Sequence, residues 1–355
     1  MDKTALNAYN KYIRRKWAVL LTMVVLLFAS AVLSLSVGSV KMPVGDILRT
    51  LFGGGNRQEA AIIWNVRMPR VATAIVVGMA LSLSGCVMQN VLRNPLASAS
   101  TLGVSQGASF GAAVAIVYFG AGIQVNAGGA TSALTVTSPT MVTLCAFVGG
   151  MATTAVILAL ARFRGTSPTT MVMPGVAISA MFTGGTALVQ YFCDDVMGAT
   201  VVYWTFGSLG RAGWTEIAII AALTLGTFCF FYCNRWNYNA MESGTHTAKS
   251  LGGPGGRLIV LSMVLCALIS SVAVAFVGCI SFIGLIAAHI MRRFVGNDYR
   301  FLIPCSALCG GILLLLSDIV SRTLLSPTVL PIGALTSFLG APLFLYLAVK
   351  GGKRK

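Results

Sequence analysis

Few residues in this sequence could do chemistry. Gly103-Val104-Ser105-Gln106-Gly107 fits G-x-S-x-G, the pattern of a serine nucleophile, and His289 could serve as its base. Such a pair would make an intramembrane serine protease. The same segment runs on to Gly111, however, and glycines at 103, 107 and 111 form a small-residue stripe of the kind that lets membrane helices approach closely. Helix packing is the favoured reading. Cys193, Asp194 and Asp195 carry ligand-type side chains, but three adjacent residues do not readily converge on one ion, so this segment reads as a solvated outer loop and no metal site is assigned. The nine cysteines lie mostly inside apolar runs without C-x-x-C spacing and read as small packing residues. No phosphate-cradling loop occurs, since Gly351-Gly352-Lys353-Arg354 lacks the Ser or Thr that would follow. Any ATP used must be hydrolysed by another chain.

The elements that position these residues are membrane helices. Only 10% of the 355 residues are charged, 56% are hydrophobic and the mean hydropathy is +0.84. That composition excludes a soluble enzyme. A span needs about 20 apolar residues to cross a hydrocarbon core about 30 Å thick. Charge-free runs, with the two longest split at a polar stretch near 124–139 and at Gly278, predict ten spans: 17–37, 65–91, 98–119, 140–161, 170–192, 213–233, 257–277, 281–293, 301–317 and 331–349. Ala29-Ser30-Ala31 imitates a signal-peptide cleavage site, but the apolar run around it is too long for one, so the first span is read as uncleaved. With no alternating barrel pattern the fold is all-α, a polytopic membrane protein in a single domain.

Charge fixes the direction. With the N-terminus cytoplasmic, eighteen of the 25 Lys and Arg fall inside and seven outside, as the positive-inside rule requires. The net charge of +16 thus reflects membrane topology and not a nucleic-acid partner. Arg67, Arg70 and Arg322 stand out because they lie on the side where basic residues are depleted. One reading is that they snorkel or pair with Asp318; the other is an electropositive outer surface that docks an acidic partner. The longest inner connection, 234–256, has room for one or two short helices and no catalytic domain.

Several ordered motifs resemble one family. They are Arg67-Met68-Pro69-Arg70, Ser84-Gly85-Cys86-Val87-Met88-Gln89, Arg93-Asn94-Pro95-Leu96-Ala97 and Leu102-Gly103-Val104-Ser105; Trp204 with Gly207-Ser208-Leu209; Gly278-Cys279-Ile280-Ser281-Phe282-Ile283-Gly284 with His289 and Arg292; and Asp318-Ile319-Val320, Arg322, Pro331-Ile332-Gly333 and Gly340-Ala341-Pro342. Together they are similar to the FecCD-type permeases of ABC importers for iron-siderophores, haem and vitamin B12. The sequence departs from that pattern at Ala288, where the family usually has Pro, and in the looser match of 238–245.

The resemblance implies a BtuC-like type II importer permease of about ten transmembrane helices, in the bacterial inner membrane with both termini cytoplasmic. It implies a homodimer, two cytoplasmic ATPase subunits that bind the ATP and Mg²⁺, and a periplasmic or lipid-anchored binding protein; the permease itself carries no cofactor. Arg67, Arg70 and Arg322 would meet acidic residues of that binding protein. A coupling loop carrying Asn239, Glu242, Gly244, Ala248, Leu251 and Gly252 would sit in a groove of the ATPase, and spans five and ten would line the path. The competing class is a stand-alone protein, either a secondary carrier or the Ser105/His289 protease. Carriers bury coupling carboxylates at mid-membrane, whereas all nine acids here fall at or near the ends of spans, which disfavours ion coupling.

Overall fold

The computed structural model describes residues 3–38, 42–51, 53–121, 123–124, 135–136, 138–164, 171–244, 255–326 and 328–352. These residues form helices joined by short turns. In chain order the helices are α1 Lys3–Ser36, α2 Val44–Leu51, α3 Arg57–Ile62, α4 Met68–Val91, α5 Val104–Val117, α6 Pro139–Arg164, α7 Val172–Tyr191, α8 Asp195–Thr205, α9 Trp214–Cys233, α10 Arg235–Glu242, α11 Gly255–Val277, α12 Ile283–Val295, α13 Tyr299–Thr323 and α14 Ile332–Gly352. A two-residue antiparallel pairing, Ile123 with Val136 and Gln124 with Thr135, lies in the connection between α5 and α6.

Seven of these helices, by length and composition, are long and apolar enough to cross a membrane. Val104–Val117 and Ile332–Tyr346 are shorter apolar helices. At the eighth expected span, 281–293, α12 has 13 residues, or about 20 Å at 1.5 Å per residue, and follows α11 after a break at Gly278 with φ +89°. The two ends of the bundle are chemically distinct. Its lower end carries Lys16 of α1 and Asp298 before α13; its upper end carries Arg67, Arg70 and Arg322. From Lys16 to Ser34 along α1 is about 27 Å, close to the thickness of a hydrocarbon core.

Helix α4 is the hub, packed against α13, α11, α12 and α9. It can be central because two of its faces are notched. A Cβ on Gly78 would collide with the backbone of Gly310 in α13, and one on Gly85 with the backbone of Gly284 in α12. Close backbone approach at small residues replaces the hydrophobic effect, which does not operate between helices in lipid. The hydroxyls buried there are satisfied locally: Ser82 Oγ donates to Gly78 O at 2.7 Å, and Ser270 Oγ donates to Ser84 Oγ at 2.9 Å.

Four sequence expectations change. The second span begins earlier, as Arg57–Val91 is one apolar helical run that passes through a π-helical turn at Ile63–Arg67. The third begins later, at Val104, because Arg93 (φ +49°) and Gly103 (φ +84°) hold left-handed backbone and 92–103 is a series of turns. The ninth extends beyond Ser317 to Thr323. A search for charge-free residues stops at Asp318, but a charge paired inside the protein does not end a helix. Asp194 and Asp195 are not simply loop: Asp195 opens α8, where a carboxylate in the first turn complements the helix dipole.

Candidate docking and coupling sites

At the upper end the three expected arginines converge. Asp318 is fully buried, at 0% exposure, and accepts a hydrogen bond from Arg70 Nε at 2.8 Å through Oδ1. Its Oδ2 lies 2.9 Å from Arg322 Nε, an ionic contact without the directed geometry of a hydrogen bond. The other nitrogens of Arg322 reach back to α1, donating to Val37 O at 2.7 Å, Ser34 O at 3.2 Å and Ser34 Oγ at 2.8 Å. Arg67 is 6% exposed and donates to Leu35 O. Carbonyls at a helix C-terminus lack intrahelical partners and carry partial negative charge, so two guanidinium groups cap α1 there. Two of these cations share one carboxylate and the third caps α1 beside them, leaving the upper end electropositive while tying α1, α4 and α13 together. Arg67 is turned inward in this conformation; Arg70, at 20% exposure, is the most accessible of the three.

The lower end has a second polar junction, centred on α10. Tyr238 of that short helix is fully buried and shares a 2.7 Å hydrogen bond between its hydroxyl and Ser262 Oγ. Burial pushes the phenol above its ordinary pKa, so the hydroxyl stays neutral. Asn239 Oδ1 accepts from Tyr299 N at 2.8 Å, and its amide reaches Asp298 Oδ1 at 3.4 Å. Glu242 accepts twice, from Asn90 Nδ2 at 3.1 Å and from Asn297 Nδ2 at 2.7 Å. Arg93 donates to Met241 O at 2.9 Å. Helix α10 is thereby fastened to the end of α4 and to the α12–α13 connection. Beside it a cavity of about 420 Å³ is lined by Gln89, Asn90, Arg93, Pro95, Glu242 and Arg292.

Asp298 links this junction to α1. Burial alone would raise its pKa, but the hydrogen bond and charge of Lys16, the Arg300 N–H and the Asn239 amide outweigh that and hold the carboxyl below its usual range. Asn90, Asn297 and Lys16 were not singled out in the sequence, because an amide or lysine at a helix end carries no signal of its own. Arg93 was visible only as part of the Arg93-Asn94-Pro95 motif. Of the six residues expected in the coupling loop, Asn239 and Glu242 belong to the junction and Gly244 follows it; Ala248, Leu251 and Gly252 lie outside the described residues.

The small-residue stripe lies against α6. A Cβ on Gly107 would collide with Gly149 O, and one on Gly111 with Cys145 O; Gly103, at the start of α5, faces Ser179 of α7. Ser105 is 5% exposed within the first turn of α5, not on the exposed strand-to-helix elbow a nucleophile requires. Its helix packs on α6, α7, α8 and α11, whereas α12, which carries His289, packs on α4, α13 and α14. Among the described residues no group of three or more His, Cys, Asp or Glu comes together.

Comparison with known proteins agrees with this architecture. The family model of the FecCD transport family matches residues 25–350. A chain of Methanocaldococcus jannaschii named as an ABC transporter permease is 48% identical over 98% of each chain. The hemin transport system permease HmuU of Yersinia pestis is 33% identical, covering 89% of this chain and 92% of that one. A solved structure described as an inward-facing metal-chelate type ABC transporter superposes with a TM-score of 0.81 at 30% identity, covering 94% of this chain and 99% of the other. With its all-helical, membrane-spanning bundle, this chain belongs to the FecCD transport family, the membrane-embedded permeases of ABC importers.

Proposed function

We propose that this chain is the permease subunit of an ATP-driven importer that carries an iron-siderophore, haem or cobalamin-type chelate into the cytoplasm by alternating access. The cargo class rests on relatives named for hemin, Fe(3+)-citrate, iron(3+)-hydroxamate and vitamin B12 import. In this reading two copies, each with ten spans and cytoplasmic termini, enclose the path in the inner membrane. Two ATPase subunits bind the ATP and Mg²⁺, a periplasmic or lipid-anchored protein delivers the cargo, and neither cofactor nor nucleic acid is involved.

The observation that carries the mechanism is the lower-end junction. Helix α10 is bonded at once to α4 and to the α12–α13 connection, so a push on it reaches helices that run to the opposite end. A ligand-driven switch requires differential contact with two states. The segment from Asn239 and Glu242 through Gly244, Ala248, Leu251 and Gly252 would receive that contact from the closing ATPase dimer. At the upper end, Arg70 and Arg322 would present positive charge to acidic residues of the binding protein, with Arg67 holding the cluster in place.

Reconstitution with the cognate ATPase and binding protein tests the whole reading. Uptake of labelled haem, ferric siderophores and cobalamin should be ATP-dependent, and one class should dominate. Transport by the purified chain without nucleotide or companion subunits would overturn it.

A further inference from the structure

Near the upper end a groove of about 1230 Å³ opens sideways between α6, α9 and α11. Its walls are apolar, with Leu144, Phe147, Ile219, Val272 and Phe276 along its length, while Arg211, Trp204 and Glu216 stand at one end. Arg211 has no carboxylate within ion-pair distance among the described residues; its guanidinium lies 5.8 Å from the centre of the Trp204 ring. The nearby Glu216 is already engaged, accepting the Gly213 N–H at 2.8 Å. By surface area Arg211 counts as exposed, because the groove beside it is open. Protein encloses its other sides, and that burial draws its pKa below the ordinary guanidinium value.

Depth is indicated by the tryptophans. Trp214, three residues after Arg211, is 48% exposed and donates from Nε1 to the carbonyl of Trp64, itself 43% exposed, at 3.3 Å. Exposed tryptophans gather at the headgroup level of a membrane. Trp214 and Trp64 at that level would put Arg211 at the depth of the lipid phosphates. The groove runs inward from it along α6 from Pro139 to Phe147, about 12 Å at 1.5 Å per residue, which is most of one leaflet's share of a core about 30 Å thick.

We propose that this groove is a phospholipid site, in which the lipid phosphate pairs with Arg211 and an acyl chain lies along Leu144, Phe147, Ile219 and Phe276. A cation partly removed from water and lacking a carboxylate partner among the described residues is costly; a phosphate at the same depth supplies the counter-charge, and the wall below it matches a hydrocarbon tail. Lipid held there would fill the space between α6 and α9 and brace both against α11.

The test is native mass spectrometry of the full-length chain in detergent after incubation with phosphatidylglycerol, together with a benzophenone photocrosslinker at Leu144. One lipid per chain should survive delipidation of the wild type and be crosslinked. Retention should fall at least tenfold in Arg211→Gln. Ile219→Trp, which fills the groove without touching the charge, should have the same effect even if Arg211→Gln folds poorly, while Val25→Trp on the exposed face of α1 should retain lipid normally. Absence of bound lipid in the wild type, equal retention in all variants, or crosslinks to a second copy or to another segment of this chain would overturn the proposal.

Discussion

Lys16 Nζ lies 3.0 Å from Asp298 Oδ2, joining residues 282 positions apart, and Lys16 is only 2% exposed. With Arg67 and Arg322 gripping the other end of α1, this helix is pinned at both ends. Between its ends, exposed Leu21, Val25 and Phe28 face outward. Helix α1 packs its other face on the core through Val19, Leu20, Met23 and Leu27, and charge and hydrogen bonds add a pin at each end that can be removed by itself.

The lower pin predicts a pH dependence. Asp298 is held below its ordinary pKa in the folded protein, so it adds stability above its unfolded value of about 3.9, and that stability is lost as pH falls through the depressed folded value. In Lys16→Met the burial of Asp298 is no longer offset by the lysine, its folded pKa rises and the acid loss of stability begins at higher pH. Thermal unfolding in detergent from pH 7 to pH 3 would reveal the shift; superimposable curves would show that the pair contributes nothing.

The upper pin predicts a larger effect at neutral pH. Asp318→Asn leaves Arg70 and Arg322 without their buried counter-charge, and breaking one side of such a pair costs about 3 to 5 kcal/mol. The unfolding temperature should drop clearly. An unchanged temperature would mean that the arginines find other acceptors.

Docking separates from stability at Arg70. As the most accessible of the three, Arg70→Gln should weaken the affinity of the purified binding protein, within the range of about 2 to 5 kcal/mol for truncating a desolvated charge pair. Its unfolding temperature should fall less than that of Asp318→Asn. If affinity is untouched while stability falls, the cluster is structural and does not dock.

Coupling is read at Glu242. Glu242→Ala removes two hydrogen bonds to a charged acceptor and frees α10 from Asn90 and Asn297. ATP hydrolysis by the assembled transporter should continue while uptake per ATP falls several-fold. Unchanged stoichiometry would remove Glu242 from the transmission path.

The glycine contact between α5 and α6 predicts a steric effect. A Cβ at Gly111 collides with a backbone carbonyl that cannot rotate away, so Gly111→Ala should cost about 1 to 3 kcal/mol, seen as a lower unfolding temperature. Ser105→Ala, which leaves the contact intact, should transport normally; loss of uptake in that variant alone would return a chemical role to the serine.

Sequence alone determined that this chain is a helical membrane protein, roughly where its spans run and which family its motifs resemble. Those properties follow from local features: the transfer energy of about 20 consecutive residues and short ordered motifs. Tertiary structure decided what the polar residues do. Asp318 ends a charge-free run when read along the chain, yet inside α13 it is neutralised by Arg70, which lies 248 positions away. Glu242 and Asn239 read as a surface for another subunit, and while Glu242 stays exposed the fold also bonds them to Asn90, Asn297 and Tyr299. A buried charge is stable only with a partner, and no local pattern names a partner that the folding of distant helices brings alongside it.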